Sequence, residues 1–267
     1  MPATRDPADP PERTGGEGVS DTDKRRQIEA ISTSDEQIFD VVEDTLLDLW
    51  KAVDDLARIH APRLPYYRVT IFGSSRMQEG DPIYGKVRDL ARELSAMGCD
   101  IVTGGGPGLM QAANQGAEQG DVDGQTRSFG LNIEVPHEQQ VNPYVEKAYT
   151  HRTFFTRLHH FVRLSSAFVV VPGGIGTTLE ALMVWQLLQV RHITDRPFIM
   201  LGPMWRDLVE WGRRFMLDGG PRHLADPGDL DLPHCVEEVE EAVAILREDL
   251  ERVRDGHGGG DGDRAGG

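Results

Sequence analysis

The residues best suited to chemistry lie in a short run that ends at Glu180. Residues 168–171 are apolar and mostly β-branched, which is typical of a buried strand, and Gly173, Gly174 and Gly176 follow them. A helical pattern begins next, so the run predicts a strand, a tight turn and a helix. The free N–H groups at such a helix start favour an anion such as phosphate.

Glu180 lies one turn into this predicted helix. A phosphate-binding loop does not require a carboxylate there, so Glu180 indicates chemistry beyond binding. A carboxylate in the first turns of a helix also complements the helix dipole, and that simpler reading stays open.

Two further glycine-bearing turns follow predicted strands. Residues 67–72 lead into Gly73-Ser74-Ser75-Arg76, and residues 100–103 lead into the turn 104–110, which begins with three glycines and ends in Leu-Met. The carboxyl ends of parallel strands share one edge of a sheet, so all three turns could surround one pocket. One such turn is as typical of tight packing as of binding, whereas three along one edge favour a binding site.

The elements that must position these turns alternate in type. Beyond the strands already named, the pattern predicts strands and helices in alternation, with a polar segment at 136–149. Strands are predicted at 128–135 and 196–201, and helices at 82–97, 109–119, 152–164, 175–190, 205–216 and 233–253. This alternation predicts an α/β fold with a mostly parallel sheet flanked by helices.

The core is expected to form a single domain at about 66–245, within a larger unit at 34–255. Residues 34–60 show apolar residues at three- and four-residue steps, which predicts an extra N-terminal helix that covers the sheet edge or joins a subunit interface. Residues 1–33 and 256–267 are rich in polar residues and glycine, and we expect disordered tails there.

Composition excludes several classes of protein. The 267 residues carry a net charge of −16, which argues against a nucleic-acid-binding surface. The two cysteines, Cys99 and Cys235, form no CxxC pair, so we do not expect a disulfide framework. We expect a cytoplasmic location, where cysteines stay reduced. We expect neither a signal peptide nor a membrane span.

Two familiar nucleotide motifs are missing, and several polar residues have simpler explanations. The chain lacks GxxxxGK[ST], and the turn at Gly104 lacks the GxGxxG spacing of a dinucleotide site. Arg157 is most simply a surface cation. His159 and His160 are adjacent, so they point to different sides of a helix and make poor joint metal ligands.

The motifs together resemble the LONELY GUY (LOG) family, whose members were long labelled lysine decarboxylases. Residues 172–180 match its PGGxGTxxE signature, and the likeness extends over about 66–245. Further matching runs are Phe72-Gly73-Ser74-Ser75-Arg76, Gly104-Gly105-Gly106-Pro107-Gly108-Leu109-Met110, and Gly130 to Pro136 with Gln139 and Asn142-Pro143-Tyr144. The longer bacterial branch of the family is the nearer likeness.

The resemblance implies a Rossmann-like fold, usually a homodimer or an assembly of dimers. It implies hydrolysis of the N-glycosidic bond of nucleoside 5′-monophosphates to free base and ribose 5-phosphate, with cytokinin riboside monophosphates or AMP as substrates. The implied catalytic pair is Arg157 and Glu180. The chain departs from frequent family residues at Leu179, Leu158 and Gln111, positions that bear on base preference more than on reaction type.

The chemistry of the residues agrees with this reaction. Cleavage of a ribosyl C1′–N bond passes through an oxocarbenium-like state, which a carboxylate such as Glu180 can stabilise. No metal or redox cofactor is needed, and no nucleic-acid or membrane partner is expected. The residues expected to bind the nucleotide are Gly73, Ser74, Gly105, Gly106, Met110, Gly173, Gly174, Gly176 and Thr177.

Two other hypotheses come from a different class of protein. Proteins with this fold and similar glycine turns also act as nucleotide-binding or molybdenum-cofactor-binding modules without hydrolysis. The helix at 34–60 would suit a nucleotide-sensing subunit of an assembly. The combination of Glu180 with Arg157 favours the enzyme.

Overall fold

The computed structural model describes residues 66–134, 141–220 and 222–258. The strands are β1 Arg68–Phe72, β2 Asp100–Thr103, β3 Ser128–Ile133, β4 Lys147–His151, β5 Ala167–Val170, β6 Phe198–Leu201 and β7 His234–Val236. The α-helices are α1 Pro82–Ala96, α2 Leu109–Gly120, α3 Phe154–Leu164, α4 Ile175–Gln189, α5 Pro203–Gly212 and α6 Val239–Gly258. A π-helical turn, Arg213–Leu217, continues α5, and a 3-10 turn spans Pro227–Asp231.

The seven strands form one sheet in the order β4-β3-β2-β1-β5-β6-β7, and every neighbouring pair is parallel. β1 lies at the centre, where Thr70 pairs with Val102 of β2 on one side and with Phe168 of β5 on the other. The chain therefore builds outward from β1 in one direction and then returns to build in the other. Parallel sheets of this kind bind ligands at the carboxyl ends of the strands on either side of that reversal.

Both faces of the sheet are covered by helices, because the central strands are apolar on both sides. Along β1, Val69 and Ile71 face the layer formed by α1, α2 and α6, whereas Phe72 faces the layer formed by α3, α4 and α5. The fold is therefore the predicted α/β, Rossmann-like architecture with helices on both faces. None of the helices in the described part of the chain combines the length and the apolar character needed to cross a membrane.

Two strands were not predicted. β4 begins inside the predicted polar segment at 136–149 and is largely exposed at the edge of the sheet, so its sequence lacks the apolar run of a buried strand. The predicted helix at 233–253 is wrong at its start, because His234–Val236 extends the sheet as β7 and α6 begins at Val239. The predicted third strand ends earlier, at Ile133. The predicted helix at 34–60 and the predicted tail at 1–33 lie outside the described residues. Of the predicted tail at 256–267, residues 256–258 form the end of α6, and residues 259–267 lie outside the described residues.

Candidate active site

The three glycine-bearing turns are joined to one another through the backbone of Ser74. Its N–H donates to the carbonyl oxygen of Pro172 at 3.1 Å, and its own carbonyl oxygen accepts from the N–H of Leu109 at 2.8 Å. Gly108 allows this approach, since it has a φ of 73° and a Cβ there would overlap the Ser74 carbonyl oxygen. The turns after β1, β2 and β5 therefore form one connected surface.

This surface bounds a cavity of about 580 Å³ at the carboxyl ends of the strands. Most of the predicted site residues line it: Gly73, Ser74, Gly106, Met110, Gly174, Gly176, Thr177, Arg157 and Glu180. The structure therefore brings residues of three separate turns and of α3 and α4 to one cavity.

Gly105 and Gly173, which were predicted to bind substrate, do not line the cavity. Gly105 has a φ of 72° and lies against the backbone of Gly130 in the neighbouring strand. Gly173 lies against the side chain of Thr177, where a Cβ would overlap the hydroxyl. Both glycines permit close packing that shapes the turns.

Arg157 is held in the cavity wall by three contacts. Its Nε donates to the carbonyl oxygen of Leu131 at 2.7 Å, and its guanidinium lies over the ring of Phe161 with 5.2 Å between Cζ and the ring centroid. Its Nη1 lies 3.2 Å from Oε1 of Glu180. Arg157 is therefore a partly buried, oriented cation and not the surface cation that its sequence context suggested.

Gly104 makes room for that guanidinium. A Cβ at this position would overlap Nη2 of Arg157 and would lie 2.6 Å from Sδ of Met110. The turn after β2 therefore needs glycine here because the arginine passes directly against its backbone. The signal was present in the sequence as the first glycine of the run at 104–106, but the sequence could not show which partner approaches.

Glu180 is buried on α4, and two opposing effects act on its pKa. Burial raises its pKa, whereas the charge of Arg157 lowers it, and the net effect raises the pKa to about 7. The ion pair favours the ionised carboxylate, but desolvation is the larger influence, so we expect the pKa to be raised. A carboxyl group that titrates close to neutral pH is suited to acid–base chemistry.

The start of α4 supplies backbone donors beside this pair. Gly174 is the N-cap residue and makes no side-chain capping bond, and the first turn contains no acidic residue. The first N–H groups of an α-helix have no partner within the helix, so those of Ile175, Gly176 and Thr177 can serve an anion. Gly174, Ile175, Gly176 and Thr177 all line the cavity.

A buried amide network holds the turn after β2 in place. Nδ2 of Asn142 donates to the Gly106 carbonyl oxygen at 3.0 Å and to Oδ1 of Asn114 at 2.9 Å. The Thr103 hydroxyl donates to the same Oδ1 at 2.7 Å and accepts from the N–H of Gly105 at 2.9 Å. Each of these polar groups is paired, so the network stabilises one conformation of the turn.

His160 pairs with a histidine that its sequence neighbourhood did not suggest. Its Nδ1 lies 3.0 Å from Nε2 of His151, at the end of β4. Burial, together with the nearby positive charges, lowers the pKa of His160 to about 4, so it is neutral at pH 7. Within the described residues, no three His, Cys, Asp or Glu side chains come together in a way that could hold a metal ion.

Seven lining residues were not among the predicted site residues: Ser75, Arg76, Gly104, Asn132, Ile133, Phe154 and Ile175. Two carried a usable signal. Arg76 stands in the first glycine turn, and Phe154 precedes Arg157 by three residues on one helix, a spacing that places both on the same face.

A second cavity, of about 620 Å³, lies between α4 and α5 and is larger than the first. In the part of the chain that the structure describes, its lining includes Trp185, Trp211 and Asp229 but no arginine or lysine. Size alone would select this cavity. The cavity beside Glu180 contains a pair of charged side chains and the start of a helix, and we therefore take it as the candidate active site. The chemistry of the lining residues is a better criterion for this choice than the volume of the cavity.

Comparison with known families and sequences finds a family model and several curated relatives that match this chain. The family model described as "possible lysine decarboxylase" matches residues 110–246. A pyrimidine/purine nucleotide 5′-monophosphate nucleosidase of Escherichia coli is 28% identical over 141 residues, which cover 51% of this chain and 31% of that protein. A probable cytokinin riboside 5′-monophosphate phosphoribohydrolase of Oryza sativa subsp. japonica is 35% identical over 111 residues, which cover 39% of this chain and 49% of that protein.

The matched regions thus span about a third and about half of the lengths of these relatives. Among solved structures, the molybdenum cofactor binding protein of Rippkaea orientalis superposes with a TM-score of 0.53. The superposition covers 70% of this chain and 99% of that chain at 15% identity, which shows a shared fold alone.

Proposed function

Since this chain belongs to the LOG family, whose model bears the description "possible lysine decarboxylase", we propose that it hydrolyses the N-glycosidic bond of nucleoside 5′-monophosphates. The products would be the free base and ribose 5-phosphate. The observation that carries the proposal is the largely enclosed pair of Arg157 and Glu180, 3.2 Å apart, in a cavity that also contains the start of α4. The names of the two curated relatives support the same reaction class.

The phosphate binds at the start of α4. The N–H groups of Gly176 and Thr177 and the Thr177 hydroxyl are its donors, and Arg76 adds a positive charge at the same cavity. This contact is remote from the bond that breaks, so its free energy of binding orients the ribose against the catalytic pair. A nucleoside without the phosphate loses that orientation.

Glu180 acts at the ribose. As the C1′–N bond breaks, positive charge develops on C1′ and the ring oxygen, and the Glu180 carboxylate stabilises it. A water molecule adds to C1′ and gives up a proton to a general base such as Glu180, which leaves a hydroxyl on C1′ of ribose 5-phosphate. The electrons of the broken C1′–N bond stay on the nitrogen of the departing nucleobase, which takes up a proton.

Arg157 holds Glu180 in the reactive position and presents its remaining N–H donors to the cavity. Its Nε bond to the Leu131 carbonyl oxygen fixes the plane of the guanidinium. Because the cation lies beside Glu180, it also keeps part of the Glu180 population ionised despite burial. The guanidinium then contacts the ribose hydroxyls or the departing base.

A nucleotide panel tests the proposal. The purified chain is incubated with AMP, other nucleoside monophosphates and adenosine, and free base is measured by chromatography. We expect base release from one or more monophosphates and little from adenosine. Tight binding of monophosphates without any base release would instead support a binding module, and equal turnover of AMP and adenosine would contradict the role of the phosphate.

We further propose that the enzyme is a cytoplasmic homodimer or an assembly of dimers. Three apolar residues on α4, Ile175, Leu179 and Leu182, are exposed and recur at steps of four and three residues. This spacing puts them on one face of the helix, and a second subunit would cover them.

A further inference from the structure

The cavity has two chemically different ends. The turns after β1 and β5 contribute backbone donors and polar groups together with one apolar side chain, Ile175, whereas Ile133 of β3 and Phe154 of α3 contribute aliphatic and aromatic surface. In the sheet, β3 is separated from β5 by β2 and β1. Three strand spacings of about 4.8 Å separate the two ends by about 14 Å.

The catalytic pair lies between these ends. Arg157 is bonded to the Leu131 carbonyl oxygen of β3 and is also paired with Glu180, which follows the β5 turn. In a nucleoside monophosphate the ribose lies between the phosphate and the base. With the phosphate at the start of α4 and the ribose at the pair, the base must extend towards β3.

Phe154 is placed to meet a ring there. It is the first residue of α3, where the Thr153 hydroxyl oxygen caps the helix by accepting from the N–H of Thr156 at 3.2 Å. It precedes Arg157 by three residues, so both lie on one helix face. Its side chain is 55% exposed although it lines the cavity, which leaves an aromatic surface uncovered.

The same end contains a group that can form hydrogen bonds with a base. Asn132 contributes the one side-chain amide among the described lining residues. A carboxamide both donates and accepts, which matches the paired donor and acceptor on the edge of a nucleobase such as adenine. An aromatic wall with few polar groups is typical of sites for flat ring ligands.

We propose that Phe154 and Asn132 form the base subsite of this enzyme and that the subsite prefers purines. Phe154 stacks on the base, Ile133 contacts its edge, and the Asn132 amide hydrogen-bonds to it. The larger purine ring covers more of Phe154 than a pyrimidine does, so stacking favours AMP over UMP. This inference rests on the proposed function, since it takes a nucleoside monophosphate as the ligand.

Ribose 5-phosphate isolates the contribution of the base, because it has the same phosphate and sugar and no base. Equilibrium binding of AMP, UMP and ribose 5-phosphate is measured by calorimetry in the Glu180→Gln background, so that turnover does not consume the ligand. Phe154→Ala is expected to weaken AMP binding roughly tenfold and to leave ribose 5-phosphate binding unchanged. Asn132→Ala is expected to show the same selectivity with a smaller loss, and Phe154→Trp to retain AMP binding.

Two control variants sharpen the test. Phe155→Ala removes the neighbouring exposed phenylalanine, which does not line the cavity, and should change neither affinity. Ile175→Ala changes an apolar residue at the phosphate end and should not weaken AMP binding more than ribose 5-phosphate binding. A base-selective loss in Ile175→Ala, or equal losses of both ligands in Phe154→Ala, would overturn the assignment.

Failure of the subsite and failure of the proposed function give different results. If the Glu180→Gln background binds AMP and ribose 5-phosphate but Phe154→Ala has no selective effect, the subsite alone is wrong. If the background binds neither ligand, both are wrong.

Discussion

Nη1 of Arg157 and Oε1 of Glu180 lie 3.2 Å apart, with each side chain only 12% exposed, although they come from two different helices. Removing two charged groups from water costs free energy of folding. Ionisable groups perturbed in this way beside an open cavity are typical of functional sites.

Gly104→Ala should disable the site without unfolding the protein. The new methyl group would overlap Nη2 of Arg157, so the guanidinium must move away from Glu180. We expect kcat/KM to fall on the order of 10²-fold, because small displacements of catalytic groups have effects of that size. Steady-state base release is the measurement, with circular dichroism to check folding.

Gly85→Ala is the matched control for this substitution, since a Cβ at Gly85 meets nothing within 4 Å. It lies in α1 and should leave kcat/KM unchanged. Normal activity in Gly104→Ala would show that the position of Arg157 does not matter.

The activity should rise with pH around neutrality. Burial raises the pKa of Glu180 to about 7, so the carboxyl is mostly protonated below this pH and ionised above it. The proposed mechanism uses the carboxylate, and kcat/KM therefore increases through about pH 7 and then levels off. A profile of kcat/KM from pH 5 to 9 checks this, and a decrease above pH 7 would assign Glu180 as a general acid.

Replacement of Arg157 should move that profile. In Arg157→Ala the cation that lowers the pKa of Glu180 is gone, whereas burial still raises it. The midpoint should therefore move above that of the wild-type protein, with KM increased and kcat decreased together. Arg157→Lys keeps a positive charge but not the planar guanidinium that reaches both Leu131 and Glu180. Its pH midpoint should therefore lie close to that of the wild-type protein, whereas its rate should stay well below the wild-type rate.

The apolar face of α4 predicts an assembly of two or more subunits. Leu182 is 46% exposed on this face, and Leu182→Glu should shift the protein towards monomers by placing a charge in the contact. Val122→Glu, at an 87% exposed loop position, is the control and should leave the assembly intact. Light scattering that finds a wild-type monomer at micromolar concentration would refute the prediction.

The order and position of the glycine turns were predictable because they follow from strand alternation. Val169 to Val171 and the glycines after them predict a buried strand and a turn, and parallel strands put such turns at one edge. Glu180 was singled out by its position one turn into the helix after the glycines, whereas the catalytic role of Arg157 came from the family resemblance. Their contact depends on how α3 and α4 pack on the same face, which no local pattern encodes.

Other features have no sequence signal. The carbonyl oxygen of Leu131 orients Arg157, and a backbone acceptor is present at every residue. β4 was missed because an exposed edge strand has no apolar run, and β7 because three residues are too few to show alternation. Gly105 and Gly173 look like binding residues in the sequence, but their close packing partners appear only in three dimensions.

The most direct test of the mechanism is Glu180→Gln, which keeps the shape of the side chain and removes its charge. Single-turnover base release at saturating monophosphate is measured beside equilibrium binding of the same monophosphate. If Glu180 stabilises charge only as the glycosidic bond breaks, the rate should fall on the order of 10²-fold or more while the affinity changes little. A Glu180→Gln protein that binds poorly yet hydrolyses at the normal rate once saturated would make Glu180 a binding residue and contradict the mechanism.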